Sequence, residues 1–551
     1  MKGAEYVLKC LEAEGIDLVF GYPGGAVIPL FDALYDNKSI RVIRTAHEQG
    51  ASHAADGYAR KTGKIGVCIA TSGPGATNTV TGIATAYSDS SPLLVITGQV
   101  GSSLLGKNSF QEVDMIGITK PITKRNFEVT NISQLKNAMQ NAFYELNNGR
   151  RGPVVIDITK DVFETEISDG YESLKKSEDL RHNKYLNEIK TAVDMIKKAK
   201  RPIIYAGGGV INSKASEKLT KLAKMTNIPV ANTIMGLGSF DRSDKLSYGI
   251  VGMHGEKETN LRIYNSDLVV GVGVRFSDRA IGNRYGFTTG KIIHIDIDEK
   301  EFNKNVDTEV TIAGDFSKIF DILIEELKDV SFPDEKREVN DEVFLPKRVI
   351  ECLKENFPEN TTVVTDVGQH QMWTMMYWKA QHERSVITSG GMGTMGFGTG
   401  AALGAKLADK NSPVLLITGD GSFRMNHPEL LTMKSYNIPV TIVVFSNNAL
   451  GMVRQWQGRF KNERYSHTDI YDTLNLENLA KAYGINYKGS FKNLEELKLL
   501  LNNTDIENDI NLIEFNLDHD LGAFPMVAAG QSINNTPTRS EERRVGKECR
   551  S

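Results

Sequence analysis

Between residues 413 and 457 the chain reads Pro413-Val-Leu-Leu-Ile-Thr-Gly-Asp-Gly-Ser-Phe423, then a helical span, then Val440-Thr-Ile-Val-Val-Phe-Ser-Asn-Asn-Ala-Leu-Gly-Met-Val-Arg-Gln-Trp-Gln457. Residues 414–418 and 440–445 are apolar, β-branched runs, which predict two buried parallel strands. Asp420 follows the first run and Asn447 the second, one helical crossover apart. In an open parallel sheet, ligands bind where strands end at their carboxyl termini, so folding brings the pair to one rim. A carboxylate and an amide oxygen beside a Gly-rich turn are hard oxygen ligands of the kind that hold Mg²⁺ on a diphosphate. Taken alone, Gly-Asp-Gly is also an ordinary turn and cap; the Asn at crossover spacing favours the metal reading. Asn447 and Asn448 compete for that place. Asn447 is taken as the side-chain ligand, and Asn448 is the alternative.

The chain around this stretch has 551 residues, enough for three to four domains. A net charge of −4 and a pI of about 6.3 offer no basic field for nucleic acid or an anionic membrane. No apolar run approaches a membrane span, and no signal or transit segment opens the chain. Cys10, Cys68, Cys352 and Cys549 have neither metal nor disulfide spacing and suit a reducing cytoplasm.

Three α/β blocks follow from the pattern: residues 1–162, 188–328 and 345–529. Charged stretches at 163–187 and 329–342 read as linkers. Residues 530–551, ending in a charge-rich run, read as a disordered or foreign tail. Strands are expected at 18–23, 64–70, 93–98 and 153–158 in the first block. The second carries them at 201–206, 267–274 and 291–298, and the third at 361–365. The first and third blocks share a strand–turn–helix grammar, so a duplicated sheet is one reading.

In the first block, Glu48 opens an Ala-rich helix after a short strand. A carboxylate there is favoured by the helix dipole alone. Gly50, Ala51, Ala54 and Ala55 give the helix a smooth face that another subunit could approach closely. Gly73, Pro74 and Gly75, with Thr77 and Asn78, form a turn between strand and helix. It serves equally as a cap or as a cofactor-lining loop. In the second block, Gly207, Gly208 and Gly209 follow a strand, where a dinucleotide pyrophosphate could approach the backbone; the run is not GxGxxG and is weak by itself.

GYPGGA, HEQGA, GYAR, TSGPGATN, TGQV, FQE, KDV, GMHG, RF.DR, DVGQHQMW, GTMG, GDGSF and GMVRQWQ occur in this order over residues 1–529. Together they resemble the catalytic large subunit of acetohydroxyacid (acetolactate) synthases, enzymes dependent on thiamine diphosphate (ThDP). The resemblance implies three flavodoxin-like, doubly wound parallel-sheet domains that bind the cofactor's pyrimidine, FAD and the diphosphate with Mg²⁺. It implies that pyruvate is decarboxylated and its hydroxyethyl group passed to pyruvate or 2-ketobutyrate. The products are 2-acetolactate or 2-aceto-2-hydroxybutyrate, precursors of branched-chain amino acids. It also implies a homodimer or homotetramer with active sites between subunits, and a regulatory small subunit.

By the same resemblance, Glu48 hydrogen-bonds N1′ of the aminopyrimidine, and Met395 props the cofactor bent. Arg279 meets the second substrate's carboxylate, Trp456 favours 2-ketobutyrate as acceptor, and Gln111 and Lys160 stand at the mouth of the site. The ThDP set is Pro23, Gly24, Pro74, Asn78, Val367, Gly368, Gln369, His370, Gly393, Met395, Gly419, Gly421, Ser422, Gly451 and Met452. Arg150, Gly207, Gly208, Gly209, Met253, His254, Gly273, Arg275, Asp278, Asp296 and Asp315 correspond to the FAD set. Asp420, Asn447 and Ala449 are the metal ligands.

Two departures stand out. Gly101 replaces a usual proline after TGQV, and Gly400 replaces another in FGTGAA; both are expected to loosen loops near the substrate channel. A pyruvate oxidase, an FAD-free catabolic acetolactate synthase and a silent ThDP-fold scaffold are the alternatives. The presence of Glu48, Asp420 and Asn447 argues against the last.

Overall fold

The computed structural model describes residues 1–168, 170–174, 179, 181–335, 344–503 and 508–537. It contains three six-stranded sheets, and every strand pairing within them is parallel. Across the first sheet the strands run Arg41–Arg44, Leu18–Gly21, Gly66–Ala70, Leu93–Gln99, Val154–Thr159 and Arg125–Val129. Across the third they run Val386–Ile387, Thr362–Thr365, Val414–Gly419, Thr441–Ser446, Asn511–Asn516 and Asn486–Phe491. In chain order both are 2-1-3-4-6-5, so the shared grammar of the two blocks extends to an identical topology.

The central sheet differs. Its strands run Ser247–Ile250, Val230–Asn232, Pro202–Ala206, Leu268–Val272, Lys291–Asp296 and Val310–Ala313, an order of 3-2-1-4-5-6. That is the doubly wound order of dinucleotide-binding sheets, one of the doubly wound arrangements expected for the three domains.

The interior strands of each sheet are buried on both faces, as strands of parallel sheets linked by helical crossovers are. Leu416, Ile442 and Val444 point into one core, while Leu415, Ile417, Val443 and Phe445 point into another. The first of these cores is shared, because Phe20, Cys68 and Val95 of the first sheet enter it too. Along it run two helices, Glu48–Thr62 from the first domain and Phe397–Ala408 from the third. Small residues let their backbones touch: a Cβ on Gly404 would lie 1.8 Å from the Ala54 carbonyl oxygen, and one on Gly57 2.2 Å from that of Ala401. The smooth face expected to receive another subunit is therefore covered within the chain. Gly400 sits in the same seam, 2.8 Å from His53 Cβ by its missing methyl position. It belongs to a buried helix and loosens no loop. Gly101, by contrast, does lie in a loop, just before the turn Ser102–Leu104.

The linkers are more anchored than their composition suggests. Tyr171 donates to Glu14 Oε1 at 2.6 Å, and residues Arg181–Tyr185 form a 3₁₀ turn. Glu335 receives a bidentate contact from buried Arg262, at 2.7 and 2.8 Å, which fixes the second linker to the central domain. Residues 530–537, assigned to the tail, also dock there. Ile533 is fully buried and donates its N–H to Gly286 O, and Asn260 Nδ2 donates to Thr536 Oγ1. The rest of that tail, with Cys549, lies outside the described residues. Cys10, Cys68 and Cys352 are buried free thiols. Among the described residues no helix is long and apolar enough to cross a membrane.

Candidate active site

In each outer sheet, the point where strand order reverses falls between the first and third strands in sequence. Crevices that bind ligands open at such points. In the third sheet it lies between Thr362–Thr365 and Val414–Gly419. Strand Val414–Gly419 pairs with Thr441–Ser446 so that Gly419 stands opposite Phe445, bringing Asp420 and Asn447 to one rim. Asp420 Oδ2 accepts the N–H groups of Asn447 and Asn448 at 3.1 and 2.7 Å, and Oδ1 accepts that of Gly421 at 2.8 Å. Burial raises the Asp420 pKa above the ordinary carboxylate value, against the pull of these three N–H groups. Asn447 Oδ1 accepts from Ala449 N, while its Nδ2 donates to Gln369 Oε1 at 3.2 Å.

A cleft opens beside this pair. Val367, Gly368, Gln369, His370, Met395, Gly419, Gly421, Ser422, Gly451 and Met452 all line it, together with Asp420, Asn447 and Ala449. Ten expected cofactor residues thus share one crevice with the three expected metal ligands. Ser422 Oγ donates to Val367 O at 2.6 Å, and a Cβ on Gly419 would strike the His370 ring. His370 Nε2 and Trp373 Nε1 are buried there without a hydrogen-bond partner among the described residues. Burial holds the His370 pKa down at about 3, so its ring is neutral at ordinary pH. Unpaired ring nitrogens beside a backbone turn fit a bound diphosphate, and the Asp420–Asn447 oxygens fit Mg²⁺. Gly393 lies against Val367 on the approach to Met395.

In the first sheet the equivalent switch lies between Leu18–Gly21 and Gly66–Ala70. Thr71 Oγ1 accepts from Ala26 N, and Gly24 packs on the Thr71 side chain, with Pro23 just before it. Pro74 opens the short helix Pro74–Asn78. Its last residue, Asn78, donates to Glu48 Oε2 at 3.0 Å, and Glu48 is half-buried at the start of its helix. Gln111 takes a left-handed backbone (φ 62°) against Gly73, a conformation unusual for a residue with a side chain. Lys160 begins a helix at the end of strand Val154–Thr159, on the same rim. Among the described residues, none from the first domain lines the Asp420 cleft.

The loop bearing Gln111 is held by Gln99, whose Nε2 donates to Val113 O and to Asp157 Oδ2, while Thr97 Oγ1 donates to Asp157 Oδ1. Burial pushes the Asp157 pKa up to about 7. Because the folded value exceeds the unfolded one, this group adds stability below about pH 4 that is lost as pH rises through about 7. Asp157→Asn should therefore flatten part of the pH dependence of thermal stability in that window, seen in melting curves at a series of pH values.

In the central sheet the switch lies between Pro202–Ala206 and Leu268–Val272. Gly207, Gly208 and Gly209 follow the first of these strands and Gly273 the second. Gly273 has φ 60°, and its turn touches Gly209 backbone to backbone. Half-buried Arg275 has no ion pair or side-chain hydrogen bond among the described residues, and burial lowers its pKa. Arg150 pairs with Glu301 at 3.0 Å and donates to Ser90 Oγ, bridging the first and central domains. Burial lifts Asp296, at the end of its strand, to a pKa of about 7. His254 Nδ1–H donates a hydrogen bond to the Pro525 carbonyl oxygen at 3.0 Å, and burial lowers the ring's pKa to about 4. A glycine-lined switch point and an unpaired guanidinium fit an anionic dinucleotide such as FAD. Asp315 is accounted for locally, as the cap that accepts from Ser317 N, and Asp278 is a surface residue 3.8 Å from Arg279 Nε.

The structure also joins residues from different domains. The Arg279 guanidinium lies 5.2 Å above the Trp456 ring, and its Nη1 reaches Met253 Sδ. Three contributors lie outside the sequence reading. Asp366 accepts N–H groups from Val367, Gly396 and Gly398, clamping the Met395 loop to a strand end. Asp89 accepts from Gly390 and Gly391 N and pairs with buried Arg60. Glu429 reaches across to the Glu48 helix. Asp366 carries a usable signal, a strand-ending Asp like Asp420; the other two join residues about 300 or more positions apart.

Three descriptions of thiamine pyrophosphate enzymes match the chain: the N-terminal TPP binding domain over residues 1–118, the central domain over 189–323, and the C-terminal TPP binding domain over 366–509. The chain is 43% identical to a probable acetolactate synthase large subunit of Methanocaldococcus jannaschii, covering 97% of this chain and 95% of that protein. It is 39% identical to the acetolactate synthase large subunits of Haemophilus influenzae (97% of both chains) and Lactococcus lactis (96% and 94%). With three parallel-sheet domains, a candidate site at each switch point and relatives alike over nearly their whole length, the chain belongs to the acetolactate synthase large-subunit family of thiamine pyrophosphate enzymes.

Proposed function

We propose that this ThDP-dependent enzyme condenses pyruvate with a second 2-keto acid, pyruvate or 2-ketobutyrate, at a site assembled from the first domain of one copy and the third domain of another. The observation that carries this is the split itself. Glu48, Asn78 and the Gly73 turn form one cluster, and Asp420, Asn447 and the glycine turns form another, with no described first-domain residue lining the latter. ThDP, when bound, supplies the carbon nucleophile and the electron sink for decarboxylation and carboligation.

Asp420, Asn447 and the Ala449 carbonyl would hold Mg²⁺, and His370, Gln369 and the Gly419–Ser422 turn would receive the diphosphate. Glu48 would hold a proton at N1′, a role for which a positioned carboxylate contributes ~10²–10⁴-fold. Asn78 orients it by donating to Oε2. Arg279 would meet the acceptor's carboxylate, kept in place by the Trp456 face. FAD would lie at the central switch point, with Arg275 toward its pyrophosphate. As the overall reaction is redox-neutral, its contribution is structural. The relatives named as large subunits support a regulatory small subunit acting in trans.

Purified protein given pyruvate, ThDP, Mg²⁺ and FAD should form acetolactate without consuming oxygen. Oxygen uptake matching CO₂ release would replace this reading with an oxidase. Trp456→Leu should lower the preference for 2-ketobutyrate by about tenfold, since one methylene is worth ~1–3 kcal/mol of discrimination. Product ratios from mixed keto acids measure it.

A further inference from the structure

The carboxylate of Glu429 opens a short helix, Glu429–Ser435, in the third domain, where a helix-dipole role would be the ordinary explanation. Its side chain does something else. Glu429 is fully buried. Its Oε2 accepts the N–H of Ala46 at 3.1 Å and its Oε1 that of His47 at 3.1 Å, while Thr432 Oγ1 donates to Oε2 at 2.7 Å. Ala46 and His47 immediately precede Glu48, and His47 is the cap of the helix that Glu48 begins. The approach depends on Gly50: a Cβ there would lie 2.0 Å from Glu429 Oε1. A carboxylate on two consecutive backbone N–H groups fixes both the entry angle and the rotation of the turn that follows.

We propose that Glu429 is a positioning residue for Glu48, setting the backbone from which the acid–base carboxylate reaches the cofactor. This rests on the reading of Glu48 given above. Glu429 follows Asp420 through the single helix Asp420–Asn426. One short segment thus carries a metal ligand of one site and the support for the carboxylate that serves another.

Glu429→Gln tests this, because an amide sets an NH₂ group against one of the two backbone donors. Gly50→Ala displaces the same carboxylate from the other side while favouring helix formation. Thr432→Val removes only the third donor and covers the case in which either variant fails to fold. For each, kcat, KM for pyruvate, ThDP affinity, C2–H/D exchange of bound ThDP and melting temperature are measured, with Glu48→Gln alongside.

The expected result for Glu429→Gln and Gly50→Ala is a fall of about 10- to 100-fold in kcat and in exchange, the scale of a displacement near 1 Å. KM and ThDP affinity should stay within about twofold, Thr432→Val should show a smaller loss of the same kind, and the Gly50→Ala/Glu429→Gln double variant should be no worse than the poorer single. Normal exchange in folded variants, with only a lowered melting temperature, would reduce Glu429 to domain glue and overturn the proposal. Normal exchange in Glu48→Gln would instead overturn the reading of Glu48, and this proposal with it.

Discussion

Asp420→Ala protein is expected to make no acetolactate and to bind ThDP no more tightly with Mg²⁺ than without it. The reason lies in what the carboxylate does in the protein alone. Its oxygens gather the N–H groups of Gly421, Asn447 and Asn448, so the two strand ends that form the rim are tied to one side chain. Alanine removes both a proposed metal ligand and the group that organises the loop of the other proposed ligand. Three N–H groups then lose their acceptor, which costs about 1–3 kcal/mol each where water cannot replace it. Titration calorimetry with and without Mg²⁺ measures the effect; unchanged Mg²⁺-dependent binding would refute the ligand assignment.

The second large effect concerns Glu48→Gln. Cofactor binding should survive, because the proposed anchors belong to the third domain, far along the chain from Glu48. Exchange at C2 and turnover should fall by about 10²–10⁴-fold, since a neutral amide cannot take the carboxylate's part in holding a proton at N1′. The amide introduced at this position would also set an NH₂ group against the Asn78 Nδ2 donor, or force that side chain to flip, so the orientation suffers with the charge. Mixing inactive Glu48→Gln with inactive Asp420→Ala chains should partly restore activity. In a mixed dimer one site would draw both intact groups and the other both damaged ones. Absence of recovery in verified mixed dimers would refute the shared-site geometry, while wild-type exchange in Glu48→Gln would refute the catalytic role.

The rim that carries Asp420 is legible in the sequence because central parallel strands are apolar on both faces. Residues 414–418 and 440–445 announce themselves, and the strands begin and end within one residue of them. Edge strands do not. Arg125–Val129 and Asn486–Phe491 are largely half-exposed, Val386–Ile387 has two residues, and none presents an apolar run. Ser247–Ile250 and Val310–Ala313, at the margins of the central sheet, are largely buried, but each is only four residues long and interrupted by Gly249 or Thr311, so neither presents a long apolar run. The central topology itself is out of reach, because strand order depends on which crossover turns back, and composition does not record that.

Within the candidate site, local signals point to residues that sit in turns after strands. They are silent on Glu429 and Asp89, whose polar atoms meet backbone groups of another domain. The small-residue face of the Glu48 helix is indeed a close-contact surface, but the neighbour on it is a helix of the same chain rather than another subunit. Smallness tells how near a partner comes and carries no information on which chain supplies it.

That seam has a consequence on the timescale of mutation rather than of turnover. Every single-base change of a glycine codon that still encodes a different residue adds at least a Cβ. At Gly404 and Gly57 the atom in the way is a carbonyl oxygen of the facing helix, which no rotamer can withdraw. No substitution in the facing helix removes that oxygen either, so replacing either glycine requires the two helices to move apart. The helix that Glu48 begins and the helix that follows Met395 are thus held at a spacing set by backbone contact rather than by side chains.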